Sequence, residues 1–502
     1  MRVVSADLWA PAPGRLVLWD VRPGADRAPV AASMTFNQRN HLLGAETGES
    51  SVWIAAAFDV DGPVDLGALE AAFRDLVAAH PVLRVEAIRR PRSEPGASGT
   101  AGGAADGVGL VRHDPTRLVW HRQDGPATRT VEATREHLVA ELGRRCAPFG
   151  YPAFLPAVIS RPDRSTVVLG MDHLHTDAWS TTVVVDELAA RYAAHAGDAL
   201  ARSGVAVVPP GRPVADQRSA GRQGVDRPVP DDPACPAPVA ADDPRLATWH
   251  GFLRDLGWAL PTFPLPLGVP DGARVPQRTV LRSLAGAATA DAVAMHARTA
   301  GASTSAAVLA TLARAVADLG GPAVLRTLLP VHTRADDAAR RAVGWHTTTV
   351  PLRIAADSAA GAGIDVAAGA DVGTGADVGT GGVTDTALAA TGKALRAARE
   401  LSAVPLEQVV GSLPTPLRLP RTDIFQVSYL DYRRLPGHAA AAQRRAHHVS
   451  AATRADDLQL WVSRTDEGVA VRARMPRTDV GVETVDALLD RWAERLAELA
   501  GR

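Results

Sequence analysis

The sequence predicts an α/β protein of mixed β-sheets with helices packed on them, arranged as two halves. Three observations lead there. β-type apolar runs alternate with segments whose apolar residues recur at helical spacing. A stretch rich in proline, arginine and aspartate, residues 205–245, separates two such series. The 502 residues, 46% of them hydrophobic, are enough for two sizeable cores.

In chain order, Asp65 is placed to cap a helix over 65–79, where Leu66, Leu69, Phe73 and Leu76 share one stripe. Strands follow over 82–88, near 117–121 and within 154–172, then a helix over 180–195. Residues 94–107 hold too few large apolar side chains to offset the entropy of ordering, which predicts a mobile loop. After the linker, Trp249, Phe252, Leu253, Trp258 and Leu260 begin a new apolar pattern. Helices over 288–300 and 303–318, strands over 323–331, 347–354, 424–430, 457–463 and 468–475, and a closing helix repeat the grammar. Val485, Leu488, Leu489, Trp492, Leu496 and Leu499 form the stripe of that last helix. The expected organisation is an N-terminal lobe over 26–204, a linker over 205–245 and a C-terminal lobe over 246–502. Within the second lobe, 355–384 carries a Gly-Ala-Asp-Val-Gly-Thr near-repeat. It reads as a disordered low-complexity insertion, because no apolar strand immediately precedes the glycines as a phosphate loop requires.

Charge and cysteine content exclude several classes. A formal net charge of −1, with Lys393 the only lysine and the arginines scattered among acidic residues, gives no support for nucleic-acid or anionic-membrane binding, which usually needs a clustered basic surface. Cys146 and Cys235 are far apart and in no ligand-like spacing, so neither a disulfide framework nor a zinc site is indicated. No run of 18 apolar residues occurs, and the N-terminus lacks the pattern of a signal peptide. A cytoplasmic, reduced protein is the expectation.

The chemistry is expected where the strand over Thr166–Asp172 ends in His173, three residues, Asp177 and the helix-opening Ser180. A histidine at a strand end holds a proton acceptor at the mouth of a rigid element, and the carboxylate four residues on fixes the turn behind it. Taken alone, a strand-end histidine is more often structural. His175 shares strand parity with His173, but a His-x-His pair with no third ligand nearby is a weak case for zinc. The His447-His448 pair reads as surface or core, and Cys146 has no paired histidine to make it a nucleophile.

This motif and its surroundings resemble the condensation domains of nonribosomal peptide synthetases, whose signature is His-His-x-x-x-Asp-Gly followed by a tryptophan or similar residue and a serine. The likeness runs through Asn37-Gln38-Arg39, Phe58 to Gly62 and His80-Pro81-Val82-Leu83-Arg84. It continues through Pro330 to Arg334, Gly344 to Arg353, Pro405-Leu406-Glu407 and Phe425-Gln426-Val427. The resemblance implies two chloramphenicol-acetyltransferase-like lobes in a V-shaped pseudodimer, with a tunnel at their junction. It implies transfer of an acyl or aminoacyl group from a carrier-protein or CoA thioester to an amine. No bound cofactor or metal is implied; the phosphopantetheine arm is the donor handle, and separate carrier proteins are the partners. His173 would be the proton acceptor or positioning group. Asp177 would pair with Arg334 as architecture, tying the motif turn to the second half, while Trp179 packs beneath the turn and Ser180 caps the helix.

The departures from that signature fall at positions flanking the motif or tunnel. Asp172 replaces the first histidine, Ala178 replaces the glycine, and Thr348 stands where an asparagine is usual. Ala178 carries a methyl, so its backbone must be conventional or shift. Asp172 also completes the Asp-x-x-x-x-Asp-x-x-Ser of heterocyclization domains, which ranks second because the matching segment near the C-terminus is missing. An ester-forming acyltransferase and a non-catalytic carrier-docking module are the other readings. With neither adenylation nor carrier domain in the sequence, the chain reads as a free-standing enzyme supplied in trans.

Overall fold

The computed structural model describes residues 1–24, 29–49, 52–89, 107–202, 236–357 and 381–502. The expected loop before Gly107, residues 205–235 of the linker and residues 358–380 of the insertion lie outside them. The chain divides into two compact units. The first joins Met1–Ala234 with Arg334–His346 and Arg434–Ala452; the second takes Cys235–Thr333, Thr347–Arg433 and Thr453–Arg502.

This corrects the expected lobes over 26–204 and 246–502 at both ends. The first unit begins before residue 26 because Arg15–Pro23 is a sheet strand whose Leu16, Val17, Leu18, Trp19 and Val21 are all buried. The second lobe is not contiguous, because His447–Ser450 is a strand of the first unit's sheet. That sheet has seven strands, in the order Arg2–Ser5, His447–Ser450, Trp53–Asp61, Arg164–Asp172, Phe154–Ser160, Arg15–Pro23 and Leu118–Ala127. Its first pair is parallel and the rest are antiparallel.

Alternation along Arg15–Pro23 shows how the sheet is covered on both faces. Val17, Trp19 and Val21 join Phe58, Phe73, Leu76 and Leu188 in one core, under helices Leu66–Ala79 and Ala178–Arg202. Leu16 and Leu18 join Ala55, Leu138, Leu142 and Cys146 in the other, under helix Val131–Arg145. Asp65 caps the first of these helices through Gly67 N and Ala68 N. The expected strand over 82–88 is a 3-10 turn, Pro81–Arg84, followed by strand Val85–Arg89, which pairs with Val108–Arg112 in a separate three-stranded sheet.

The second unit holds another seven-stranded mixed sheet: Thr347–Ala355, Val324–His332, Gln426–Asp431, Gln459–Thr465, Gly468–Pro476, Val275–Gly286 and Arg454–Ala455. Helix Thr304–Asp318 is buried along most of its length, and the stripe of helix Asp479–Ala500 packs into the same core. No single helix among the described residues is long and apolar enough to cross a membrane; Ala287–Thr299 and Thr304–Asp318 pass that test only together, as a pair bent by 100°.

Candidate active site

Strand Arg164–Asp172 lies at the centre of the first sheet and is buried from Ser165 onward. Such a strand is a rigid support, and its end delivers the motif. Asp172 caps a 3-10 turn, His173–His175, through Leu174 N, and His173 N donates to Val52 O at 2.9 Å. The turn is held from the side by Gln38, whose Nε2 donates to Leu174 O at 2.9 Å. Gln38 also closes a capping box with Thr35 at the start of helix Phe36–Glu46. The early glutamine segment thus clamps the histidine turn.

The His173 ring is half-buried and lies against Trp345, ring centroids 3.9 Å apart and planes tilted by 31°. Its Nδ1 is buried and has no hydrogen-bond partner among the described residues. Burial, reinforced by His41, holds the imidazole below its ordinary protonation range despite the charges of Asp172 and Asp177.

Asp177 and Arg334 meet as a buried bidentate pair, at 2.7 Å and 3.0 Å. Burial alone would raise the Asp177 carboxyl, but the charge and hydrogen bonds of Arg334, with bonds from Ser180, hold it well below the usual carboxylate range. The carboxylate also accepts from His346 N at 3.1 Å. Arg334 donates onward to Ser180 Oγ and to the carbonyls of Ala342 and Gly344. Both partners belong to the first unit, so the expected tie between halves is corrected to a bond within one unit.

Ser180 does not cap the helix. Helix Ala178–Arg202 begins two residues earlier, and the capping oxygen is Asp177 Oδ1, which accepts from Ser180 N at 2.8 Å. The Ser180 hydroxyl instead bonds Asp177 Oδ1 and both backbone groups of Gly344. A Cβ at Gly344 would fall 2.6 Å from His346 Nε2, which fits glycine there. Ala178 takes an ordinary helical backbone. Trp179 donates from Nε1 to Arg340 O and has the Arg334 guanidinium 5.4 Å from its ring centre. Thr348 is in the second unit, opposite Val331 on strand Thr347–Ala355, and is not one of this cluster.

The remaining candidates are engaged structurally. His175 is buried and donates from Nε2 to Val85 O. His448 is buried on its strand, 3.3 Å from Thr181 Oγ1, and His447 bonds Arg445 O. Burial raises the Cys146 thiol well above its ordinary value, so it is no ready nucleophile. Among the described residues no three histidine, cysteine or acidic groups cluster as a metal site.

His41 and Trp345 are not among the residues that the sequence singles out. His41 Nε2 lies 2.7 Å from Asp172 Oδ1, and its ring is 6.4 Å from His173 and 5.9 Å from Trp345. The signal for His41 was its place three residues after Gln38, one turn along the same helix face. The buried Asp172 was the other half of that signal, since it demands a donor. Trp345 sits inside the segment matched from Gly344 onward, with nothing in its spacing to mark it.

Comparison with solved structures shows the fold. The chain has the condensation-domain fold. No family model matches the sequence, and no curated protein matches it. Among solved structures, the PapA2 acyl transferase matches at TM-score 0.76 and 19% identity, covering 100% of both chains. The condensation domain of the Monacolin K polyketide synthase MokA matches at 0.58 and 14%, covering 97% of this chain and 98% of its own. The X-domain from teicoplanin biosynthesis, in its complex with OxyB, matches at 0.56 and 20%, covering 95% of each.

Proposed function

We propose that the chain is an acyltransferase of condensation type, moving an acyl or aminoacyl group from a thioester on a pantetheine arm to an amine, with a separate carrier protein or CoA as donor. The observation that carries this is the His173 ring: at the end of a buried strand, clamped by Gln38 and the Asp177–Arg334 pair, and biased by its surroundings toward the neutral form. In the Nδ1–H tautomer of the neutral ring, Nε2 offers the lone pair.

A thioester is already activated, so the reaction needs orientation and a proton acceptor rather than covalent catalysis. The amine nitrogen bonds the acyl carbon, its proton passes to His173 Nε2, and the C–S bond breaks with that proton returning to the departing thiolate. The carboxylate of Asp177 does not take part, because Arg334 and the helix start consume its oxygens.

The test combines the full chain with acyl thioesters on CoA and on carrier proteins, each with amine and alcohol acceptors, followed by intact mass. An amide product lost in His173→Ala supports the reading; an ester assigns a hydroxyl acceptor, and ring closure with loss of water assigns heterocyclization. Carrier binding with no product from any pair would replace it with a docking module.

A further inference from the structure

Where the resemblance places a first motif histidine, this chain has Asp172, and that carboxylate is wholly buried. A buried carboxylate needs a counter-charge or several donors. Among the described residues Asp172 has two partners, Leu174 N at 2.9 Å and His41 Nε2 at 2.7 Å, while Oδ2 has none. The histidine contact is short enough for a charge-assisted bond. His41 is itself only 11% exposed. It projects from the helix that Gln38 fixes to the same turn, so its place is set by the fold. Its ring and the His173 ring both meet Trp345, at 5.9 Å and 3.9 Å.

We propose that His41 is a positioning residue for His173: held by Asp172 as an imidazolium–carboxylate pair, it sets a fixed cation beside the His173 ring and keeps that ring a neutral proton acceptor. This role rests on the acyl-transfer reading of His173. The departure from the signature is then an exchange, in which the imidazole lost from the strand end returns from a helix, paired with the aspartate that replaced it.

His41 faces Asp172 and His175 from the motif turn, Glu49 beyond the end of its helix, and His173; His175 donates to Val85 O, and Glu46 on the same helix reaches Arg89. His173 faces His41, Asp172 and Asp177, and Asp177 is bound by Arg334. Burial alone would lower the His41 imidazole, but Asp172, with help from Glu49, outweighs it and holds the ring above its ordinary value.

The test is histidine titration by NMR in the full chain carrying ¹⁵N-histidine, with His173→Ala and His41→Gln assigning the two resonances. In the unsubstituted protein His41 should titrate above His173. In His41→Gln, whose amide can still donate to Asp172, the His173 midpoint should rise by about one pH unit, and acyl transfer should fall more at pH 6 than at pH 8. A His173 midpoint that stays or drops in His41→Gln overturns the proposal, as does His41 titrating below His173. If the variant fails to fold, the order of the two midpoints in the unsubstituted protein decides. Midpoints that move while no donor gives product would sink the acyl-transfer reading and leave the pair standing; product with an unmoved His173 would sink the positioning role alone.

Discussion

Asp177 and Arg334 lie 157 residues apart and meet as a buried two-point ion pair at 2.7 Å and 3.0 Å. The same carboxylate starts helix Ala178–Arg202, and the same guanidinium holds the backbone of Ala342 and Gly344. One bond therefore ties the histidine turn, the helix behind it and the segment carrying Trp345.

Breaking that pair from one side should be costly. Asp177→Asn leaves the Arg334 charge buried without its counter-ion, and urea unfolding at pH 7 should show a loss of about 3–5 kcal/mol. The sign with pH follows from linkage. The folded carboxyl is held low, so its contribution is present above the unfolded value of about 3.9 and is lost as pH falls toward the folded one. The gap between wild type and variant should narrow on acidification below about pH 4. Equal stabilities at pH 7 would remove the architectural role.

Asp457, in the second unit, should behave in the opposite sense. It is buried, and burial, with the charges of Asp456 and Asp423 outweighing the backbone donors Leu458 N and Phe263 N, pushes its carboxyl up to about 7. The folded state binds that proton more tightly than the unfolded chain, so the stabilisation is full below about pH 3.9 and fades as pH rises through about 7. The stability of Asp457→Asn relative to wild type should therefore increase between pH 5 and pH 8. A difference that does not change with pH would contradict this.

Gly170 sits mid-strand beneath helix Val131–Arg145, and a Cβ there would lie 2.0 Å from Leu142 Cδ2 and 3.2 Å from Cys146 Sγ. Gly170→Ala should cost about 1–3 kcal/mol through overpacking, seen as a lower Tm, and Leu142→Ala should be less harmful in the Gly170→Ala background than alone. Additive losses would show that the contact is not what limits that position.

The elements that were legible in the sequence were those with long, regular patterning. The helix behind Asp65, the closing helix with Trp492 and the strand ending at Asp172 all bury one stripe or one run, and that periodicity is local. What stayed hidden was non-local. His447–Ser450 is four residues long and gains its identity only by pairing with Arg2–Ser5 and Trp53–Asp61, so nothing around it announces which sheet it joins. Strand Arg15–Pro23 was missed for a related reason, since both faces are buried and its apolar run lacks alternation. His173 was legible from its strand end and Asp177 from its spacing, while Arg334 was reached only through the resemblance. His41 was not, because its meaning depends on Asp172, 131 residues away.

Whether His173 accepts the proton of an attacking amine at a thioester is read from product formation by intact mass, comparing wild type with His173→Ala at matched folding by circular dichroism. The variant should keep its Tm while the rate falls by about 10²–10⁴. A folded His173→Ala protein that forms product at the wild-type rate would contradict that role.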